Sequence, residues 1–142
     1  MDSAQGASRA EQAMQSYFDQ LVAQTAGLRA ALVTDREGVS VVRAAEASWE
    51  NLGMEGSFAA TFALAAEQTH RLRLGANSSI TCFFDNCCLL HTSVGATLIV
   101  TLVGEEECNV GLFREALPAM RQFLAPVAEA LVGLSTPAGD GE

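Results

Sequence analysis

The sequence predicts an α+β domain in which one five-stranded antiparallel sheet carries helices on both faces, in the order α-β-β-α-β-β-β-α. Two observations predict this architecture. Three stretches repeat apolar residues with the period of an α-helix, and five short apolar stretches are bounded by turn-forming Gly, Asp and Asn. A length of 142 residues suits a single domain that buries its own core.

The first helix is predicted between Ala10 and about Thr25, and Gly27 suits the position after its end. Its apolar side chains share one face, which makes the helix amphipathic. That face comprises Ala10, Met14, Tyr17, Phe18, Leu21 and Thr25. Residues 1–8 are polar and are predicted to be disordered, so the domain is expected to cover residues 9–134.

A hairpin is predicted next. Residues 28–34 form an apolar strand, and residues 35–38 form a turn that begins with Asp and ends with Gly. The returning strand, residues 39–45, carries Ser40 and Arg43, which suits the edge of a sheet. Residues 46–55 are expected to form a loop.

The central helix is predicted between Gly56 and Gly75, and it has two separate apolar sides. One stripe repeats at intervals of four and three and should cover the sheet. The stripe comprises Phe58, Phe62, Ala65, Thr69 and Leu72. Leu64, beside Ala60 and Thr61, lies about 120° away at 100° per residue. This second arc is predicted to face a partner chain, and the alternative is contact with a loop of the same chain.

Three strands follow, at residues 79–84, 87–93 and 96–103, with a tight turn at residues 85–86. Residues 96–103 are almost continuously apolar, which is typical of a central strand. By elimination, residues 80–84 or their hairpin mate take the second edge. Because residues 80–84 contain no charge, this edge lacks the usual protection against pairing. Either a partner strand completes it, or a segment of the same chain covers it.

The last helix is predicted from Asn109 to about Leu134. Its apolar stripe comprises Phe113, Leu117, Met120, Leu124, Val127, Leu131 and Leu134. Pro118 and Pro126 fall inside this run, so a kink or a division of the helix is expected. Residues 135–142 are predicted to form a disordered tail.

The residues quoted above resemble a known family. Residues 27–42 are similar to the first hairpin of the roadblock/longin-like proteins. Within that family, residues 61–65, 67–68, 72–74, 77, 79–80 and 82–84 resemble the MEK-partner scaffold subunits of the Ragulator complex. The resemblance resumes at residues 109–112 and 124–126. The arm from Cys87 to Ser93 departs from the pattern, and about one extra turn lies between Leu112 and Leu124.

This resemblance implies a roadblock/profilin-like single domain that acts as a non-enzymatic scaffold. It implies a heterodimer with a second roadblock subunit, held by a lipidated anchor subunit on the cytoplasmic face of late endosomes and lysosomes. It also implies recruitment of Rag-type GTPases and MEK/ERK-type kinases for mTOR and MAPK signalling. The partner-binding residues carried onto this sequence are Thr61, Leu64, Gln68, Arg71, Ile80, Thr81, Cys82, Phe83 and Phe84.

Charge and composition limit the other partners. The net charge is −9 and all eight basic residues are scattered arginines, which argues against nucleic acid and against direct adhesion to anionic lipid. No signal peptide, lipidation motif or apolar run of about 20 residues is recognised. Membrane residence is therefore expected only through a partner.

No cofactor, metal site or catalytic group is predicted. Cys82, Cys87, Cys88 and Cys108 form no C-x-x-C motif, and Cys87 and Cys88 should point to opposite faces of one strand. No phosphate-binding loop, dinucleotide motif or nucleophile elbow occurs. Two alternatives stay open: a homodimeric roadblock regulator of another small GTPase, and a small thiol or metal enzyme that uses Cys82, Cys87 or Cys88.

Overall fold

The computed structural model describes residues 2–49 and 55–135. The helices are α1 (Asp2–Gln24), α2 (Glu55–Thr69) and α3 (Val110–Ser135). The strands are β1 (Leu28–Asp35), β2 (Ser40–Ala45), β3 (Ser79–Phe83), β4 (Cys87–Val94) and β5 (Leu98–Glu105). Short 3₁₀ turns occupy Ala47–Trp49 and His70–Leu72. The predicted order of helices and strands is confirmed.

The five strands form one antiparallel sheet in the spatial order β2-β1-β5-β4-β3. β5 is the middle strand, and its burial is continuous from Leu98 to Gly104. β2 and β3 form the two edges. The predicted central strands and the β2 edge are confirmed, because an interior strand of a covered sheet has no face in water. The second edge, which the sequence left open between the two strands of a hairpin, is β3.

Helices α1 and α3 pack on the same face of the sheet. Their buried residues join one cluster with the inward side chains of the strands, including Phe18 of α1, Leu102 of β5 and Phe113 of α3. Tyr17 stacks on Phe123 with ring centroids 4.4 Å apart, which joins the two helices directly. Burial of these large side chains makes this face the main source of hydrophobic stabilisation.

Helix α2 lies on the opposite face and is held by fewer buried side chains. Ala59 and Phe62 pack against Ile99, and Phe58 packs against a second small cluster. The second cluster consists of Ala30, Leu89 and Val103. Alanines at the contact let the helix lie close to the sheet, but they bury little area. The attachment of α2 therefore depends strongly on Phe62.

Two predicted helix limits are wrong. α1 begins at Asp2, before the predicted start at Ala10. α2 ends at Thr69, and a 3₁₀ turn follows in which Arg73 adopts a left-handed conformation with φ of 56°. This turn rotates Leu72 away from the sheet, and its side chain is 63% exposed instead of buried.

Neither proline divides α3, which runs from Val110 to Ser135, so of the two expected outcomes, a kink or a division, the division is excluded. Pro118 and Pro126 are both exposed. The carbonyl groups that lose a donor, those of Arg114 and Gln122, lie on the same water-facing side, where water can replace the missing hydrogen bond. The predicted stripe is buried from Phe113 to Leu124.

Some predictions fall outside the described part of the chain. They concern the side chains of Leu131 and Leu134, the tail at residues 136–142 and half of the predicted loop, at residues 50–54. The limits at residues 8 and 135 stay predictions as domain boundaries. Within the described residues, no helix is long and apolar enough to cross a lipid bilayer.

Candidate partner-binding surface

The outer side of α2 is exposed along its whole described length. Thr61, Leu64 and Gln68 are all exposed, and so is Arg71 in the turn that follows. Leu64 is 60% exposed, although it is a large apolar side chain in the middle of a helix. The structure therefore brings the four helix-side candidates together on one water-facing surface, separate from the side that Ala59 and Phe62 present to the sheet.

β3 adds an edge beside this helix. It pairs with β4 on one side only, and no other strand among residues 2–49 and 55–135 pairs with it. Ile80 and Cys82 lie opposite His91 and Leu89, on the face that carries α2. Thr81 and Phe83 therefore lie on the face that carries α1 and α3. An edge strand of this kind leaves backbone N–H and C=O groups available for another strand.

The apolar side chains at this edge are largely accessible. Ile80, Thr81 and Cys82 are half-buried, whereas Phe83 is 69% and Phe84 is 57% exposed. All nine predicted residues therefore lie on α2, on the turn after it, or on β3 and the next residue. Isolated exposed hydrophobic residues are ordinary, but a concentration of them indicates an interaction surface.

Sequence reasoning missed two further members of this surface. Leu72 was assigned to the core, and Leu74 was not assigned a role, yet both are exposed large hydrophobic residues. We define the edge surface as Leu64, Leu72, Leu74, Phe83 and Phe84, together with the backbone edge of β3. Among the described residues, Val39 is the only other exposed large hydrophobic residue. The available signal was the sequence Leu-Arg-Leu-Gly at residues 72–75, which suits a helix end better than a helix interior.

His91 lies beneath α2, and its side-chain contacts are structural. Its Nδ1 is 2.9 Å from Oγ1 of Thr101, and its ring stacks on Phe62 with centroids 5.3 Å apart. Burial lowers the pKa of His91 to about 4, so the ring is neutral near pH 7. A histidine covered in this way by an aromatic ring of α2 does not reach the surface as a general base.

The cysteines do not form a catalytic arrangement with the histidines. Cys87 packs on the α2 side and Cys88 on the opposite side, as predicted. Burial raises the pKa of both thiols, which disfavours the reactive thiolate. Among the described residues, no group of three or more His, Cys, Asp or Glu side chains could hold a metal ion.

A hollow of about 570 Å³ lies beside the C-terminal end of α2. Its walls include Arg36, Glu67, His70, Asn77 and Ser93 together with small residues. The Arg36 Nε donates a 2.7 Å hydrogen bond to the carbonyl of Ala96, so this side chain ties two turns together.

Comparison with known proteins agrees with this geometry. A family model described as "Mitogen-activated protein kinase kinase 1 interacting" matches residues 12–132. The Ragulator complex protein LAMTOR3-B of Xenopus laevis is 37% identical over 86 residues, which cover 61% of this chain and 69% of that protein. A Ragulator complex protein LAMTOR3 homolog of Drosophila melanogaster is 33% identical over 98 residues, covering 69% of this chain and 78% of that protein.

A solved roadblock/LC7 domain from Streptomyces avermitilis superposes with a TM-score of 0.69. The match covers 80% of this chain and 95% of that chain, and at 11% identity it concerns the fold alone. The predicted roadblock-like fold is thereby confirmed. Because the family model spans most of the sequence, the chain belongs to the mitogen-activated protein kinase kinase 1 interacting family.

Proposed function

We propose that this protein is a non-catalytic scaffold subunit that pairs with a second roadblock-fold subunit in a Ragulator-like complex. The observation that carries the proposal is the edge surface, where an exposed helix side and an unpaired strand edge lie next to each other. The names of the relatives support the choice of complex, since both are Ragulator complex proteins.

The geometry suits extension of the sheet by a partner strand. A strand added to β3 would lie about 4.8 Å away and form main-chain hydrogen bonds along the free edge. Ile80 and Cys82 lie on the α2 side of this edge, so a helix on the same face of the partner's sheet would meet Leu64 and Thr61. Phe83 would be covered on the opposite face. All nine predicted contact residues take part in this arrangement.

We infer the wider role from the family resemblance of the sequence, and the names of the relatives and the family description support it. The proposed complex is tethered by a lipidated anchor subunit to the cytoplasmic face of late endosomes and lysosomes. There it recruits Rag-type GTPases and MEK/ERK-type kinases for mTOR and MAPK signalling. Its mechanism is spatial, because partners held on one scaffold meet at a higher effective concentration than they reach in solution.

The experiment is a comparison of Leu64→Arg with Ala119→Arg, which puts the same charge on an exposed position of α3. The pairing partner is a second roadblock subunit from the same source. Leu64→Arg should weaken pairing by about 30-fold or more, which corresponds to about 2 kcal/mol at the centre of an interface. Light scattering after size exclusion gives the mass, and titration gives the Kd.

Both variants should keep the urea midpoint of the wild-type monomer, because both positions are exposed. Equal loss of monomer stability and pairing in Leu64→Arg would place Leu64 in the chain's own core. Unchanged pairing would remove α2 from the interface. Stable pairing of this chain with itself, and none with the second subunit, would favour a homodimeric regulator.

A further inference from the structure

We propose that Cys88 and Cys108 form a reversible thiol–disulfide site, which a two-electron oxidant such as hydrogen peroxide closes into a covalent link. The link would join β4 to the segment that precedes α3. It makes no use of the edge surface and does not depend on the proposed function.

The two sulfur atoms already lie side by side. Sγ of Cys88 is 2.6 Å from Sγ of Cys108, so they need to approach by only about 0.6 Å to reach the length of a disulfide. The contact joins residues 20 positions apart in the chain. Because it connects an interior strand to a different segment, the fold itself must hold the pair together.

Two glycines make the space for Cys108. A Cβ at Gly27 would lie 2.9 Å from Cβ of Cys108, and a Cβ at Gly104 would lie 2.6 Å from its Sγ. Gly104 is also the β5 residue opposite Cys88. Because Gly27 and Gly104 have no side chains, they leave a space that the Cys108 side chain fills, with its sulfur beside Cys88. The Cys108 N–H donates to the carbonyl of Glu105 at 3.1 Å, which positions the backbone of the segment.

The surroundings give the two thiols different roles. Cys108 is half-buried, whereas Cys88 is fully buried. Burial raises the pKa of Cys88, and its contact with Cys108 raises it further. Cys108 is therefore the thiol that meets the oxidant, and Cys88 is the resolving thiol.

The reaction balances in two steps. The Cys108 thiolate attacks one peroxide oxygen and breaks the O–O bond, which after protonation gives a sulfenic acid and one water. Cys88, losing its proton, then attacks the Cys108 sulfur and displaces the hydroxyl as a second water. Two sulfur atoms are oxidised, and one peroxide is reduced to two waters. A dithiol reductant reverses the change.

The other two cysteines lie on the opposite face of the sheet from Cys88. Cys87 points to the α2 side of the sheet, away from Cys88. Cys82 lies on that same side, opposite Leu89 in the register of β3 and β4. Only Cys88 shares a face and a contact with Cys108, so the fold should select one disulfide among the possible pairs.

The test counts thiols after oxidation. The full-length protein is treated with hydrogen peroxide, quenched, unfolded and labelled with N-ethylmaleimide, and its intact mass is measured. The untreated chain has four cysteines and takes four labels. The treated chain should take two, and dithiothreitol should restore four. Peptide mapping should show a link to Cys108, and the oxidised form should have a higher urea midpoint.

Single variants identify the partner. Cys87→Ser should still form the link and take one label. Cys108→Ser lacks the thiol that meets the oxidant and should take three labels. Cys88→Ser should form no link and should take two labels, with Cys108 carrying the added oxygen of a sulfenic or more oxidised acid. Treatment in urea should give a mixture of linked pairs, because the fold no longer selects one. Four labels on the treated wild type would overturn the proposal, and so would a link in Cys88→Ser or the same single product in urea.

Discussion

At the scale of single residues, His91 shows how the burial of a side chain decides its role. An imidazole in a chain with a cysteine-rich strand invites interpretation as a ligand or base. The structure instead covers it with Phe62 and leaves Thr101 Oγ1 as its hydrogen-bond partner. A ring so placed stays neutral, because the charged form would lose hydration without gaining a counter-ion. Because His91 is held neutral in the fold, the free energy of unfolding should depend on pH.

Lowering the pH should destabilise the protein through His91. Its pKa is about 4 in the folded state and 6.5 in the reference state, so only the unfolded chain takes up the proton between these values. The contribution is complete above pH 6.5 and is lost as the pH falls toward 4. The free energy of unfolding should drop by about 3 kcal/mol more in the wild type than in His91→Gln between pH 7 and pH 4.

Urea titrations at several pH values measure this difference. The carboxylates of the chain titrate in both proteins, so the comparison isolates the histidine. Parallel pH profiles for the wild type and His91→Gln would show that His91 accepts a proton in the folded state as easily as in the unfolded one.

At the scale of elements, α2 is the least firmly attached helix. Ala59 and Phe62 are its buried side chains among those described, while α1 and α3 bury large side chains in the main cluster. Phe62 also covers the ring of His91. Loss of this one aromatic side chain would open a cavity between the helix and the sheet.

Phe62→Ala should therefore cost about 3–5 kcal/mol of unfolding free energy. Phe84→Ala is the matched control, because it removes the same side chain from an exposed position and should cost little. Chemical denaturation of both variants provides the measurement. A Phe62→Ala protein as stable as the control would mean that α2 is held by other contacts.

The two sheet edges should respond differently to charge. β2 already carries Arg43 on its exposed side, whereas the β3 edge presents Phe83. Lysine on an edge strand opposes pairing with another chain. Phe83→Lys should therefore reduce self-association and subunit pairing by about tenfold, which is about 1.4 kcal/mol. Ser40→Lys on the other edge should change neither.

Sedimentation velocity over a range of concentrations measures both self-association and subunit pairing. The monomer fold should survive in each variant, since both side chains are exposed. An equal response to the two substitutions would mean that the effect comes from net charge rather than from the β3 edge.

At the scale of the whole molecule, the charge distribution should prevent unaided membrane binding. The chain has 17 acidic and eight basic residues. One arginine is already engaged, since Arg29 forms ion pairs with Glu46 and Glu105 at one end of the sheet. Anionic lipid would therefore repel the protein at moderate salt.

The isolated protein should stay in the supernatant when it is mixed with phosphatidylserine-containing vesicles and centrifuged. A lipid-anchored partner complex should carry it into the pellet, and Leu64→Arg should abolish this transfer if the edge surface forms the pairing contact. Binding of the isolated chain to the vesicles would show that a partner is not needed for membrane residence.

The sequence by itself determined the order of elements, the two central strands and the β2 edge, because each depends on local apolarity and turn chemistry. It left open which strand of the second hairpin forms the other edge. The almost continuously apolar run at residues 96–103 and the polar Ser40 and Arg43 are signals of this kind. The same reasoning found the exposed arc at Leu64, since side-chain direction in a helix follows from its period.

Only the tertiary structure decided where α2 ends, whether α3 continues through its two prolines, and which two thiols are in contact. Leu72 continues the helical period of the sequence but is exposed, because α2 ends at Thr69 and Leu72 lies in the 3₁₀ turn that follows. Cys88 and Cys108 are separated by a whole strand, and their contact exists because two glycines let distant segments approach. Local patterns specify local geometry, whereas these outcomes depend on how separate segments pack.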